Sequence, residues 1–284
     1  MVQLSRPALI EFIAIEVGQI AGRSPESHDA PPSRGRRVAF AVVSGLVGLL
    51  FFTNAKEAAA PWIEQAANGF AHPGISRWHA AVEGSVDAIF VGAALLALVW
   101  RPLTKPLLLQ NVIAVTLILD LILLPFRELF LLVFTLPIII VAALYPWPRT
   151  LFQLSRPTTI SWAFLALVVV AAALLAPVIW HSFSLNMQPA ERHNQWITDV
   201  EHILVLIISG VAVSTLRAGW PWLGTFIAVA YLYLGVAALT IPNQPGSWGL
   251  VGGALALVGG VGYLAATVWE LRRRRTGRWL TGPG

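Results

Sequence analysis

The chain has 284 residues, is 57% hydrophobic and only 12% charged, and has a mean hydropathy of +0.72. A soluble domain is nearer half apolar and a quarter charged, so this balance excludes an ordinary water-soluble globule and predicts a protein whose solvent is lipid. The net charge of +5 and pI near 10.2 come from Arg and Lys in loops and tails rather than from a nucleic-acid surface, and the lack of Cys rules out disulfides, thiolate catalysis, Cys-ligated zinc and iron–sulfur clusters.

Residues 1–37 read as a cytoplasmic tail. Its apolar patch, residues 7–21, is too short and too charged to span, with Glu11 and Glu16 inside it. It suits an interfacial helix or a partly ordered tail. Residues 22–37 (GRSPESHDAPPSRGRR) have the Pro, Ser and Arg content of a disordered linker. Eight apolar runs follow, at about 38–54, 81–100, 106–125, 128–145, 159–180, 197–216, 221–241 and 248–270. Each is near the roughly 20 residues that a membrane helix needs. Pro102, Pro106, Pro125, Pro146, Pro148, Pro157, Pro221 and Pro242 lie at or near their ends, while Pro137 and Pro177 fall inside or near the ends of spans and predict kinks.

Basic residues set the orientation. With the N-terminus inside, 15 of the 19 Lys and Arg fall on the inner side. Only Lys56, Arg77, Arg127 and Arg192 remain outside. The expected fold is therefore an all-α polytopic protein of about eight transmembrane helices in the plasma (inner) membrane, with both termini cytoplasmic. The basic tail 271–284, with Arg272 to Arg275, is expected to meet anionic lipids.

The two halves resemble each other. Trp78 and Glu83 at the start of the second span recur with the same spacing as Trp196 and Glu201 at the start of the sixth. Pro102 and Pro221 mark matching turns, and IAVTLILDLILLP at 113–125 is echoed by IAVAYLYLGVAALTIP at 227–242. Two tandem four-helix units are predicted, at 38–145 and 159–270, joined by a linker at 146–158. Four spans per unit is even, so the units run parallel. A short amphipathic helix is expected at 58–68 in the first outer loop.

Ionisable groups gather at the outer end. His79, Glu83 and Asp87, spaced by four, share one face of the second span. Asp199 and His202, together with Glu201, enter on the matching sixth span. Charged groups at membrane depth are costly unless paired, hydrated or metal-bound, so the cluster is read as a site open to the outside. The inner half shows little beyond Gln110 and Asn111.

Three uses fit these residues. The first is a divalent metal site (zinc, iron, manganese or copper) built from His79, Glu83, Asp87, Asp199 and His202, with Glu83 or Glu201 as general base on metal-bound water. The second, ranked below the metal, is haem with His79 and His202 as axial ligands. The layout of two parallel four-helix units resembles that of haem A synthase. That resemblance would imply a His in the second and fourth helix of each unit, and this chain has none in its fourth or eighth span. The third is an organic or lipid ligand, walled by Trp62, Trp78, Trp180, Trp196 and Trp248; the alternative for these five is an ordinary interfacial belt. Enzyme, transporter and non-catalytic membrane subunit all remain open.

Overall fold

The structure is a computed structural model that describes residues 32–63, 76–123, 130–148, 151, 159–187 and 195–279, with backbone only for 118–123, 130–134, 195 and 275–279. The interfacial helix expected at 7–21 and most of the linker after it lie outside the described residues.

The described residues are helical, with no strand among them. Helix α1 spans Arg34–Phe52 and runs on as a 3-10 segment, Thr53–Ala59. It begins four residues before the apolar run because Ser33 caps it, its Oγ accepting from Arg36 N at 3.3 Å. The second helix, α2, is continuous over Arg77–Val99, with an α-helical start at Arg77–Val86, a π-helical stretch at Asp87–Ala93 and an α-helical end at Ala94–Val99. Ser76 caps it in the same way, accepting from His79 N at 3.1 Å. Then follow α3 (Pro106–Leu123), α4 (Phe130–Leu144), α5 (Trp162–Asn186), α6 (Gln195–Ser214), α7 (Trp220–Thr240) and α8 (Gly249–Trp279). Pro137 and Pro177 do lie inside helices, α4 and α5. Where an α-helix was expected at 58–68, the chain is 3-10 wound up to Ala59 and turns at Ala60–Trp62; residues 64–75 lie outside the described set.

Among the described residues six helices are long and apolar enough to cross a membrane, namely α1 with its 3-10 extension, α2, α5, α6, α7 and α8. The apolar parts of α3 and α4 whose side chains are described are shorter, Pro106–Leu117 and Thr135–Leu144. The chain thus has the all-α architecture of a multi-pass membrane protein.

Packing follows chain order. Helix α1 lies on α2, α2 on α3, α3 on α4, and α4 returns to α1. The same ring repeats as α5 on α6, α6 on α7, α7 on α8, and α8 back to α5. The two rings meet through α2 and α3 on one side and α6 and α7 on the other. Small residues allow the closest approaches. Gly48 and Gly92 bring α1 onto α2, where a Cβ on Gly92 would sit 2.8 Å from Phe52 N. Gly235 and Gly253 do the same for α7 and α8, each Cβ meeting the other's carbonyl oxygen at 2.9 and 3.0 Å. The Gly-rich stretch of α8 is thus a helix contact and not a break in the helix.

The end of the bundle opposite His79 is more polar inside than the sequence reading held. Lys105 is buried, with Nζ donating to Trp100 O at 2.9 Å and Ala97 O at 3.4 Å. These carbonyls end α2, where the helix dipole favours a cation. Its ammonium also lies 5.1 Å from the Trp222 ring centroid. Glu270 is buried on α8 and accepts from Ser161 Oγ at 2.6 Å. Lys105→Met keeps the stem and removes the donors. It is expected to lower stability by about 1.5–3 kcal/mol, the usual worth of hydrogen bonds to a charged group, and thermal unfolding in detergent checks this.

Candidate functional site

The site forms where α2 and α6 enter the bundle from the same end. Helical spacing puts Glu83 one turn after His79, and their side chains meet, His79 Nε2 to Glu83 Oε2 at 3.1 Å. The other ring nitrogen, Nδ1, meets Asp199 Oδ1 of α6 at 2.7 Å. One imidazole therefore joins two carboxylates from two helices. Asp199 is deeply buried, its side chain 4% exposed, while Glu83 is 27% exposed. The chain of contacts runs from a dry end to a wet one.

A second pair crosses the same interface in the opposite sense. His202 of α6 points Nε2 at Asp87 Oδ1 of α2, 3.7 Å away. Its Nδ1 donates to Thr198 O at 2.6 Å, which fixes the ring against its own helix. Asp87 also accepts from Asn54 Nδ2 at 3.2 Å, so the 3-10 segment after α1 joins the site. Asp87 opens the π-helical stretch, a geometry that recurs at functional positions in helices.

The surrounding field is acidic. Glu57, on the 3-10 segment, lies within electrostatic reach of Glu83, Asp87 and His79. Glu201, half-buried, lies within reach of His202. Of the residues predicted from sequence, His79, Glu83, Asp87, Asp199, His202 and Glu201 are all brought together, and Asn54 with them. His181, on α5, is exposed and stays out. His28, His72 and His193 lie outside the described residues. Glu57 is absent from the residues singled out by sequence, since it falls between the first apolar run and the helix expected at 58–68. A carboxylate at the end of an apolar run was the available signal.

The five Trp divide. Trp78 and Trp196 are buried beside the site, and Trp248 packs on Trp78 with ring centroids 5.5 Å apart. Trp62 and Trp180 are exposed, as a belt requires. Gly246, in the turn between α7 and α8, closes over the buried end of the site. At φ +82° it occupies the left-handed region, and a Cβ there would lie 2.9 Å from the Trp196 ring, 3.1 Å from Trp78 and 3.1 Å from Asp199 Oδ2. That oxygen is buried and has no hydrogen-bond partner among the described residues. Gly246→Ala adds both left-handed strain, about 1–2 kcal/mol, and a bump against two indoles. The expected result is a lower unfolding temperature together with a shifted Trp fluorescence maximum.

Among the described residues no group of three or more His, Asp or Glu is arranged to hold a metal ion. Both ring nitrogens of His79 face carboxylates, and those of His202 face a carbonyl and a carboxylate. A metal at either imidazole would take the place of the proton between ring and carboxylate, whereas a haem iron would have to displace the carboxylate. The fold defines an all-helical protein of multi-pass membrane type. Comparison with known families, with curated proteins and with solved structures finds no match.

Proposed function

We propose that this is an eight-span plasma-membrane protein of two parallel four-helix units, both termini cytoplasmic, whose outward-facing His/carboxylate site works as an acid–base relay on a substrate at the outer membrane face. Six long apolar helices support the spans, and α3 and α4 complete the count. The matching rings, α1 to α4 and α5 to α8, and their contact through the second and third helix of each support the duplication. The excess of Lys and Arg in the tails and alternate loops supports the orientation.

The observation that carries the relay is the Asp199–His79–Glu83 chain. Asp199 holds the Nδ1–H of His79 and so fixes the tautomer and the ring. One proton is then shared between Nε2 and the Glu83 carboxylate. With the proton on the ring, Glu83 is a base; with the proton on Glu83, it is an acid that His79 can recharge. Glu83 is the group placed to meet a substrate, since it is the wet end of the chain. His202 and Asp87 hold α2 and α6 at the distance the relay needs.

The test uses full-length protein in lipid, with 15N-labelled histidine. A step in external pH is expected to move the His79 ring nitrogens between singly and doubly protonated signals in wild type. In Glu83→Gln the response is expected to be altered, because the amide can no longer share the Nε2 proton. An identical response in both proteins sinks the relay. A second reading, a divalent metal bound by the carboxylates, is favoured by the acidic surplus of Glu57, Glu83, Asp87 and Glu201 around the two imidazoles. Stoichiometric zinc, iron, manganese or copper in wild type, lost in Glu83→Gln, would put that reading first.

A further inference from the structure

We propose that the opposite end of the first four-helix unit carries a specific site for an anionic phospholipid. A cavity of about 640 Å³ lies between the start of α1, the end of α2 and the turn after α4. This is within the usual size range of small-molecule pockets. Its polar residues are Arg37, Arg101 and Thr104, and among the described residues no carboxylate lines it. Its apolar wall includes Val38, Val99 and Leu103, all of them exposed. Two arginines beside an exposed apolar wall, at the end of a membrane bundle, match a phosphate headgroup with acyl chains running down the helices.

The two arginines are held in place by different means. The Arg37 guanidinium lies 5.9 Å from the Trp147 ring centroid, and its Nε donates to Pro32 O at 3.3 Å. Arg101 has φ +57°, one of two non-glycine residues with positive φ among those described. Placing a side chain there costs about 1–2 kcal/mol relative to ordinary backbone. Glycine would close the same turn without that cost. Such strain is an observation from which a role can be inferred, and here the residue that bears it is an arginine that lines the cavity. Beside them Arg36 caps α4, donating to Ala143 O at 3.0 Å and Leu144 O at 3.5 Å, so it fixes the cavity wall rather than waiting for a ligand. The site is separate from the basic C-terminal tail and from the His/carboxylate relay. It rests on the membrane placement alone.

Arg101→Gly separates binding from folding, because it removes the guanidinium and relieves the backbone. Full-length wild type and the Arg37→Gln/Arg101→Gly double variant are titrated in detergent with phosphatidylglycerol, and bound lipid is counted by native mass spectrometry. Wild type is expected to retain one phosphatidylglycerol, and the double variant to bind it about thirtyfold more weakly, from about one headgroup-scale interaction lost per Arg. The unfolding temperature of Arg101→Gly alone should be equal to or above that of wild type. Equal retention in wild type and double variant, or equal retention of phosphatidylcholine, overturns the site and leaves only annular lipid. Full competition by inorganic phosphate overturns the lipid and leaves a free-anion site. Glu83→Gln leaves the lipid count unchanged, so failure of the relay and failure of this site are seen apart.

Discussion

Asp199→Ala is expected to lower stability by about 3 kcal/mol, because it leaves His79 buried with half of its partners gone. Two magnitudes compete here. A hydrogen bond between membrane helices is worth only about 0.6 kcal/mol on average, since the unfolded helices find other partners in the bilayer. Removing one member of a buried ion pair costs about 3–5 kcal/mol, because the survivor stays desolvated. His79 is 2% exposed and its Nδ1–Asp199 contact is 2.7 Å, so the second figure governs. The contact with Glu83 remains and keeps the loss near the lower end. Thermal unfolding in detergent measures it. Asp199→Asn, which keeps an acceptor for Nδ1, should fall between Ala and wild type. The double variant His79→Leu/Asp199→Leu removes both groups together and should recover most of the loss. If Asp199→Ala costs under about 1 kcal/mol, the contact is an ordinary interhelical hydrogen bond.

Gly84→Leu is expected to be still more damaging, at about 3 kcal/mol or more. A Cβ at position 84 would lie 2.5 Å from Asn54 O, 2.7 Å from Ala58 N and 2.8 Å from Glu57 Cβ. Two of these atoms are backbone and cannot swing away, so the 3-10 segment must move as a whole. Overpacking of this kind costs about 1–3 kcal/mol where side chains absorb it, and more where backbone must. The same movement draws Asn54 off Asp87, so the variant loses the site along with stability. The control is Gly259→Ala in α8, where a Cβ meets nothing within 4 Å. That change should be neutral or stabilising by about 0.5–1 kcal/mol through backbone entropy alone. A similar unfolding temperature for the two variants would refute the close-packing account.

Much of the site was legible because a helix fixes its own neighbours. The spacing of four between His79 and Glu83 implies a contact, and the contact is present. The sequence also placed Asp199 and His202 at the start of the matching span. It did not reveal which acid would meet which imidazole, because that depends on how α2 and α6 approach. The crossed arrangement, His79 to Asp199 and His202 to Asp87, is a property of the interface and of no single segment. The opposite end was misread for a related reason. Lys105 stands between Pro102 and Pro106 and reads as an inner-loop charge, while Glu270 is the last residue of the eighth apolar run and gives no sign of a partner. What buries them is the supply of partners, the open carbonyls at the end of α2 and the Ser161 hydroxyl that caps α5. Hydropathy averages cannot show a cap. The Trp residues split in the same way, since burial of Trp78 and Trp196 depends on the turn at Gly246, far along the chain.

The wide turn at Asp87–Ala93 has a consequence for counting. A π-helical turn closes its hydrogen bonds one residue later than an α-helical turn, so α2 holds about one residue more than a uniform α-helix spanning the same rise. That surplus sits between the part of α2 that faces α6 at His79 and the part that packs on Gly48 of α1 at Leu96. It lets the two parts present their faces independently, like two keys cut on one shaft. Excising a single residue from this stretch would tighten the turn to α geometry and leave both faces in phase with their partners. Excising one residue a turn earlier, between His79 and Glu83, would rotate the imidazole away from Asp199 while the rest of α2 stayed in place. The surplus residue is thus the point at which the His79 face of α2 can be set without disturbing the seat of the helix in the bundle.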